Sequence, residues 1–305
     1  MRNPDFFIVG APKCGNTALY QYLDLHPSIY IFKSKEPRFF GSTLGEHIVA
    51  QNLQGYSFLF KPAGKCLAGD GSTSYLFTKN VETKIFDFNP HAKIVIMLRN
   101  LIDLLHAWHS ELVYMGYENV HDLRQALQLK PERRLGKHIP KRCRNLRLLY
   151  YREIVKFSDH VRRYQNLFGK EKVYTIIFDE FKQNTSGVFK GVCEYLDIDS
   201  SFEVDFKPVN PNKIFVNKML YRFLPGNLTK IRSISQKILP ASIFKRVLDS
   251  YTQCKKVIAD ASTQTATRPA LSSSLDKHLR NDFSKEVENF SLLLDRDLNL
   301  LEHSS

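Results

Sequence analysis

Phe6-Phe7-Ile8-Val9-Gly10-Ala11-Pro12-Lys13-Cys14-Gly15-Asn16-Thr17-Ala18-Leu19 joins three elements in one short run. The apolar residues Phe6 to Val9 read as a buried strand, Gly10 to Gly15 as a tight loop, and Thr17 to Leu25 as a helix. A strand feeding a glycine-bounded loop and a helix start makes an anion site. The first N–H groups of the helix have no intrahelical acceptor, the helix dipole favours negative charge, and glycine lets a phosphate approach the main chain.

The loop departs from a nucleotide-binding P-loop in one informative way. Gly10 and Gly15 keep the G-x-x-x-x-G spacing and Thr17 stands at the Ser/Thr position, but Asn16 occupies the lysine position and the lysine stands earlier, at Lys13. In an ATPase that lysine reaches the β- and γ-phosphates, beside a hydroxyl that holds Mg²⁺. A cation at the front of the loop would instead reach an oxygen bridging two groups of a shorter anion. Taken alone, the loop is also compatible with an ordinary strand–turn–helix carrying a solvated lysine.

Three more segments bear chemistry. Ile94 to Leu98 in Ala92-Lys93-Ile94-Val95-Ile96-Met97-Leu98-Arg99-Asn100 reads as a second buried strand, with Arg99 at its carboxyl end. Open α/β sheets bind ligands beyond that end of their strands, and a planar guanidinium suits phosphate; a surface charge is the plainer alternative. Lys33-Ser34-Lys35-Glu36-Pro37-Arg38-Phe39-Phe40-Gly41 sets one carboxylate, Glu36, among three cations. Glu36 is either a proton acceptor or one acid in a solvated charge run. Gly69-Asp70-Gly71-Ser72-Thr73-Ser74-Tyr75-Leu76 has the glycines and small hydroxyls of a tight turn facing a ligand, or of a plain surface loop.

Pro12-Lys13-Cys14-Gly15-Asn16-Thr17 resembles the phosphosulfate-binding loop of the PAPS-dependent sulfotransferases, usually written P-K-S-G-T-T, with Cys14 and Asn16 as departures. The segment from Lys35 to Phe40 is similar to the K-E-x-x-F-F of glycan and bacterial small-molecule members. The stretch from Gly69 is similar to a G-E-x-S-P-S-Y-L of bacterial members. The resemblance implies an α/β fold, a P-loop-like central parallel sheet flanked by helices with a helical C-terminal portion. It implies 3′-phosphoadenylyl sulfate (PAPS) as co-substrate, PAP as product and no metal. Lys13, Cys14, Gly15, Asn16, Thr17 and Ala18 would hold the 5′-phosphosulfate, with Lys13 also catalytic. Arg99 would hold the 3′-phosphate, and Glu36 would be the catalytic base.

In relatives a serine follows the strand-end arginine by eight positions; here Ala107 stands there, and His106, His109 or Ser110 are candidates to replace its contact. Arg268 lies in a segment similar to an R-P-x-L that closes over the nucleotide. Heparan-sulfate-acting relatives carry a lysine near Gly71, absent here, which favours a small polar acceptor, a natural product or metabolite, over a polymer. Two alternatives remain: a P-loop kinase, which needs lysine at position 16 and an aspartate at a strand end, and a catalytically lapsed nucleotide-binding protein on the same fold.

The 305 residues, 43% hydrophobic and 25% charged, suffice for one large domain. The expected organisation is a sheet core over about 5–205 and a helical extension over about 213–305. No apolar run approaches the roughly 20 residues of a membrane span. The chain enters its first strand directly from Met1-Arg2-Asn3-Pro4-Asp5, so the expectation is a cytoplasmic bacterial enzyme with no membrane partner. A net charge of +13 raises nucleic-acid binding. The basic residues are spread widely, without interleaved aromatics, so an anionic donor in a basic cleft accounts for them better. The five cysteines show no paired spacing and read as free thiols; Cys14, at a helix start beside Lys13, is expected to have a lowered pKa.

Further along, helices are expected over Leu101–Tyr114, Asp122–Leu129, Arg147–Phe168 (one long helix with a basic face), Ser186–Leu196, Ser233–Tyr251 and Leu275–Leu294, and a third buried strand over Val173–Phe178. Gly116 to Pro140 reads as a lid, an acceptor wall or a surface excursion. Strand–helix alternation predicts a parallel sheet with helices on both faces.

Overall fold

Apolar runs without polar alternation require burial on both faces, and the strands they form stand side by side at the centre of the fold. The computed structural model describes residues 2–32, 36–41, 49–207, 213–215, 263–265 and 270–298. Five strands, β1 (Phe6–Gly10), β2 (Ile29–Ile31), β3 (Leu67–Asp70), β4 (Lys93–Leu98) and β5 (Val173–Ile177), form one sheet in the order β2-β3-β1-β4-β5. Every pairing is parallel, with Phe6 opposite Gly69 on one side and Lys93 on the other, and Leu98 opposite Ile177. All of β1 is buried, as is β4 from Ile94 onward.

The helices follow from the order of the strands. They are α1 (Asn16–Asp24), α2 (Leu53–Phe58), α3 (Val81–Phe88), α4 (Leu101–Met115), α5 (Leu123–Gln128), α6 (Lys130–Arg134), α7 (Tyr151–Ile154), α8 (Phe157–Phe168), α9 (Phe178–Gln183), α10 (Thr185–Leu196) and α11 (Ser273–Leu294). Crossovers between parallel strands are right-handed. The connection from β1 to β2 runs one way along the sheet; those from β3 to β4 and from β4 to β5 run the other. This puts α1 on one face and α3, α4 and α8 on the opposite one. The packing agrees: α3 and α11 lie against α8, and Tyr22 of α1 meets Phe181 of α9 on the other face. The change of face at β1 opens a crevice beyond the carboxyl ends of β1 and β4. No helix among the described residues is long and apolar enough to cross a membrane.

Residues 1–209 with 271–305 form one contact unit and 210–270 a second. In the second, the described residues are two short antiparallel strands, β6 (Lys213–Phe215) and β7 (Thr263–Thr265). The helix expected over Ser233–Tyr251 lies outside the described residues. Helix α11 matches the expectation over Leu275–Leu294; it docks through Glu286, whose carboxylate accepts the Ser158 N–H in the first turn of α8 at 2.7 Å.

One expected helix is broken. Arg147–Phe168 is a 3₁₀ turn (Leu146–Leu149), then α7, then α8. In a continuous helix the carbonyl of Glu153 would accept from the Phe157 N–H. Instead it accepts the ring N–H of His160 at 2.8 Å, and the Phe157 amide bonds Val155.

The segment from Gly116 to Pro140 is pinned from within. Glu118 and Arg133 are fully buried, and both carboxylate oxygens accept from Arg133 Nη2 at 2.8 Å. Tyr151 donates to Glu118 Oε2 at 2.7 Å, and the Asn119 and Val120 amides donate to Oε1. Burial alone would raise the Glu118 pKa; these donors and the Arg133 charge hold it below the usual carboxylate range. Removing the cation strands a buried charge, which costs about 3–5 kcal/mol. Arg133→Met is therefore expected to lower the unfolding free energy by that amount in urea titration at neutral pH, and an unchanged midpoint would show that the pair does not hold this segment.

Candidate functional site

The loop after β1 is shaped by two glycines. At Gly10, φ is +140°, and a Cβ there would lie 2.5 Å from the carbonyl oxygen of Thr73. The absence of a side chain thus lets the segment after β3 lie against the end of β1, where the Leu76 amide bonds the carbonyl of Val9 at 2.8 Å. At Gly15, φ is +83°, and a Cβ would run into the Phe178 ring at 2.6 Å. Gly15 is also the N-cap of α1 and has no side chain to offer the first-turn amides.

Arg99 leaves the carboxyl end of β4 and reaches the same loop. Its Nη1 donates to the carbonyl of Lys13 at 3.3 Å, and its guanidinium lies over the Phe178 ring, 5.0 Å from the centroid. Phe178, the first residue of α9, is thus a shared platform for the loop and the arginine. Two buried polar atoms here have no partner among the described residues, Arg99 Nε and Asn16 Oδ1. The Asn16 amide nitrogen is used inside the loop, donating to the carbonyl of Ala11 at 2.6 Å. Thr17 and Ala18 are half-buried in the first turn of α1. The unpartnered Arg99 N–H, two cations and an uncapped helix start fit an anion with more than one charged group; Asn16 Oδ1, an acceptor, adds nothing to that fit.

Both cations are held by carboxylates of α4. Lys13 Nζ lies 3.1 Å from Glu111 Oε2, and Arg99 Nη2 lies 2.9 Å from Asp103 Oδ2. Asp103, Ala107 and Glu111 follow at four-residue steps and share one face of the helix. Ala107, where the resemblance implied a serine, is buried between them in this stripe. Two of its candidate substitutes are committed elsewhere: the Ser110 hydroxyl donates to the carbonyl of His106 at 2.8 Å, and the His109 ring lies 2.8 Å from the carbonyl of Val120. Burial lowers the His109 pKa, which favours the neutral ring.

Glu36 is brought to the same end of the sheet by the segment after β3. Its Oε1 accepts from the Thr73 hydroxyl at 3.0 Å and its Oε2 from Arg38 Nε at 2.8 Å. Thr73 is the residue whose carbonyl lies against Gly10. Lys33 and Lys35 lie outside the described residues, as does Arg268.

Two expectations change. Cys14 is fully buried, and burial pushes its thiol up to about 12 despite the nearby Arg99 and Lys13 charges. Desolvation outweighs the helix start, so the expected lowering is not found. The Gly69–Leu76 turn is also more than a ligand-facing loop. Asp70 is buried and accepts from the Tyr56 hydroxyl at 2.6 Å, the Tyr75 hydroxyl at 3.3 Å, and the Ser72 amide and hydroxyl at 2.9 and 2.6 Å. Ser72 in turn accepts the Arg38 amide at 3.0 Å. Asp70 therefore anchors the turn that holds Glu36, and burial raises its pKa to about 6 against the pull of these donors.

Phe178, Thr73, Asp103 and Glu111 were not among the site residues expected from sequence. The four-residue steps on α4 were legible there; the other two contacts join residues far apart in the chain.

The sequence model described as "Sulfotransferase domain" matches residues 3–288. Mouse carbohydrate sulfotransferase 15 is 28% identical over 160 residues, 38% of this chain and 28% of that protein. The bifunctional heparan sulfate N-deacetylase/N-sulfotransferase 1 of Caenorhabditis elegans is 25% identical over 226 residues, 71% of this chain and 25% of that protein. The chain thus spans about a quarter of the length of these animal relatives. A crystal structure of a sulfotransferase from Alicyclobacillus acidocaldarius superposes with a TM-score of 0.69 at 25% identity, covering 99% of this chain and all of that one.

The acid on Lys13 competes with any incoming anion, so Glu111→Gln is expected to tighten PAP binding several-fold in calorimetry; unchanged or weaker binding would contradict the competition. The Asp70 pKa, raised on folding, favours the folded state below the unfolded carboxylate value, and that advantage is lost as pH rises through about 6. Relative to wild type, Asp70→Asn should gain on the order of 2–3 kcal/mol of stability between pH 4 and 7. Urea titrations of both proteins across that range read the difference.

Proposed function

The chain belongs to the sulfotransferase family, and we propose that it moves a sulfuryl group from PAPS to a hydroxyl or amine of a small polar acceptor, with PAP as product. What carries this reading is the meeting of Lys13 and Arg99 at one loop, at the carboxyl edge of a parallel sheet, where the buried Arg99 Nε donor has no partner among the described residues. The donor, when bound, supplies an activated sulfuryl group on a phosphate leaving group. Lys13 and the amides of Gly15 to Ala18 would hold its 5′ end. Arg99, braced on Phe178, would hold the 3′-phosphate.

Glu36 would take the acceptor proton as the new bond to sulfur forms and the bond to the phosphate oxygen breaks, with the electron pair leaving on PAP. Thr73 and Arg38 hold both carboxylate oxygens and so fix its direction. Lys13 would offset the charge that develops on the departing phosphate. These cations do the work that Mg²⁺ does in a P-loop kinase, and Asn16 in the lysine position weighs against that alternative.

The names of the animal relatives favour a second acceptor class, a carbohydrate, which offers both hydroxyls and amines. A reducing, cytoplasmic setting is supported by the free thiols of Cys14, Cys66, Cys143 and Cys193.

Labelled PAPS incubated with an acceptor library tests the reaction. Transfer is expected to survive EDTA, and strict dependence on Mg²⁺ would count against the assignment. Glu36→Gln should lower turnover by about 10²–10⁴-fold, the usual contribution of a positioned base, with PAP binding unchanged. Near-wild-type turnover in that variant would remove Glu36 from the role.

A further inference from the structure

A second cleft, of about 680 Å³, opens between α3, α7 and α8. It shares an edge of the sheet with the loop that holds Lys13. In a parallel sheet each crossover helix runs back against the strands, so it begins at their carboxyl edge. The cleft is lined by the starts of two such helices, Asn80 and Glu82 at the start of α3 and Lys156 and His160 at the start of α8, with Arg163 in the second turn of α8. The turn after β3 joins the two places. Thr73, near its beginning, holds Glu36, and Phe77, four residues on, lines the cleft.

The wall is built and charged. Arg163 donates to the carbonyl of Leu76 at 2.7 Å and pairs with Glu82 at 3.0 Å. Its Nη2 also lies 3.1 Å from His160 Nδ1, while His160 Nε2 donates to the carbonyl of Glu153. Burial, helped by the Arg163 charge, lowers the His160 pKa to about 4, so the ring is neutral and accepts from Arg163. Lys156 pairs with Glu153 at 3.0 Å. These pairs use up the acids Glu82 and Glu153. Four more cations line the cleft, Lys79, Arg134, Arg147 and Arg162, and none forms an ion pair among the described residues. Asp159 is the remaining acid of the lining. The cations sit on four different elements and turns yet converge on one cavity, which a merely solvated helix face does not require.

We propose that this cleft is a subsite for negative charge on the acceptor, so that the acceptor carries carboxylate or sulfate groups of its own beyond the hydroxyl or amine that reacts. The inference rests on the sulfuryl-transfer reading above and narrows its acceptor class to an acidic one. Arg147 and Arg162, exposed and without carboxylate partners, are its principal contacts. Lys79 and Arg134 extend the positive lining. Arg163, held by His160 and Glu82, positions the wall rather than touching the ligand.

The test uses the purified chain with saturating PAP and labelled probes: a hyaluronan hexasaccharide, its sulfated form, and its carboxyl-reduced neutral counterpart. Both acidic sugars should bind about tenfold or more tighter than the neutral one, with an advantage that shrinks as salt is raised. The exposed pair Arg147→Glu/Arg162→Glu should remove that advantage while PAP affinity and the circular dichroism spectrum stay unchanged. Equal binding of acidic and neutral sugars, no binding of either acidic sugar, or full retention in the double variant would overturn the proposal. So would a hexathymidylate that binds tighter than every sugar, because the cleft would then serve a phosphodiester chain. Failure of PAP to bind is a separate result: it would sink the donor assignment, while the sugar comparison without PAP would still report on the cleft.

Discussion

The close approach of Thr73 to Gly10 is the contact on which the site depends. A side chain at Gly10 would occupy the place of the Thr73 carbonyl, and the turn after β3 would have to move away from the end of β1. That turn carries the Thr73 hydroxyl on Glu36, and through Ser72 it receives the Arg38 amide. The position of the proposed base relative to the anion loop is therefore set by a missing methyl group on a strand end. Asp70 secures the arrangement from behind by gathering two tyrosine hydroxyls and the Ser72 donors in the core. It does so as a buried carboxyl whose pKa rises toward neutrality, a cost the structure accepts for a fixed turn.

A second constraint is electrostatic. The cations that would meet phosphate are not left bare: α4 supplies Asp103 for Arg99 and Glu111 for Lys13. Such pairs keep long cationic side chains ordered near the cleft, at the cost of competition with the ligand. Ala107 sits between the two acids. This chain therefore offers carboxylates flanking a methyl group on the helix face that lies over Lys13 and Arg99.

Much of the fold was legible beforehand because its signals are local. The apolar runs at Phe6–Val9, Ile94–Leu98 and Val173–Phe178 have strand length and lie between helical periodicities, and they became β1, β4 and β5, the last ending at Ile177 because Phe178 opens α9. The interruption of Arg147–Phe168 was not legible. Periodicity runs through it, and the break depends on the His160 ring taking the Glu153 carbonyl from the Phe157 amide. The Cys14 shift runs opposite to the expectation for a related reason. Neighbouring charges are visible in sequence, whereas full burial, which dominates, is a property of the packed loop.

By itself, the sequence determined the strand–loop–helix, the displaced lysine, the strand-end arginine and the family they indicate, because each is a matter of spacing along one segment. Only the tertiary structure decided that Phe178 underlies both the loop and Arg99, that Thr73 orients Glu36, that α4 masks the two cations, and that basic residues scattered from Lys79 to Arg163 line one cleft. Those contacts join segments up to about a hundred and sixty positions apart, such as the loop at Gly15 and Phe178. They exist because burying the sheet on both faces brings the segments at its carboxyl edge within reach of one another, a consequence of packing that no local pattern encodes.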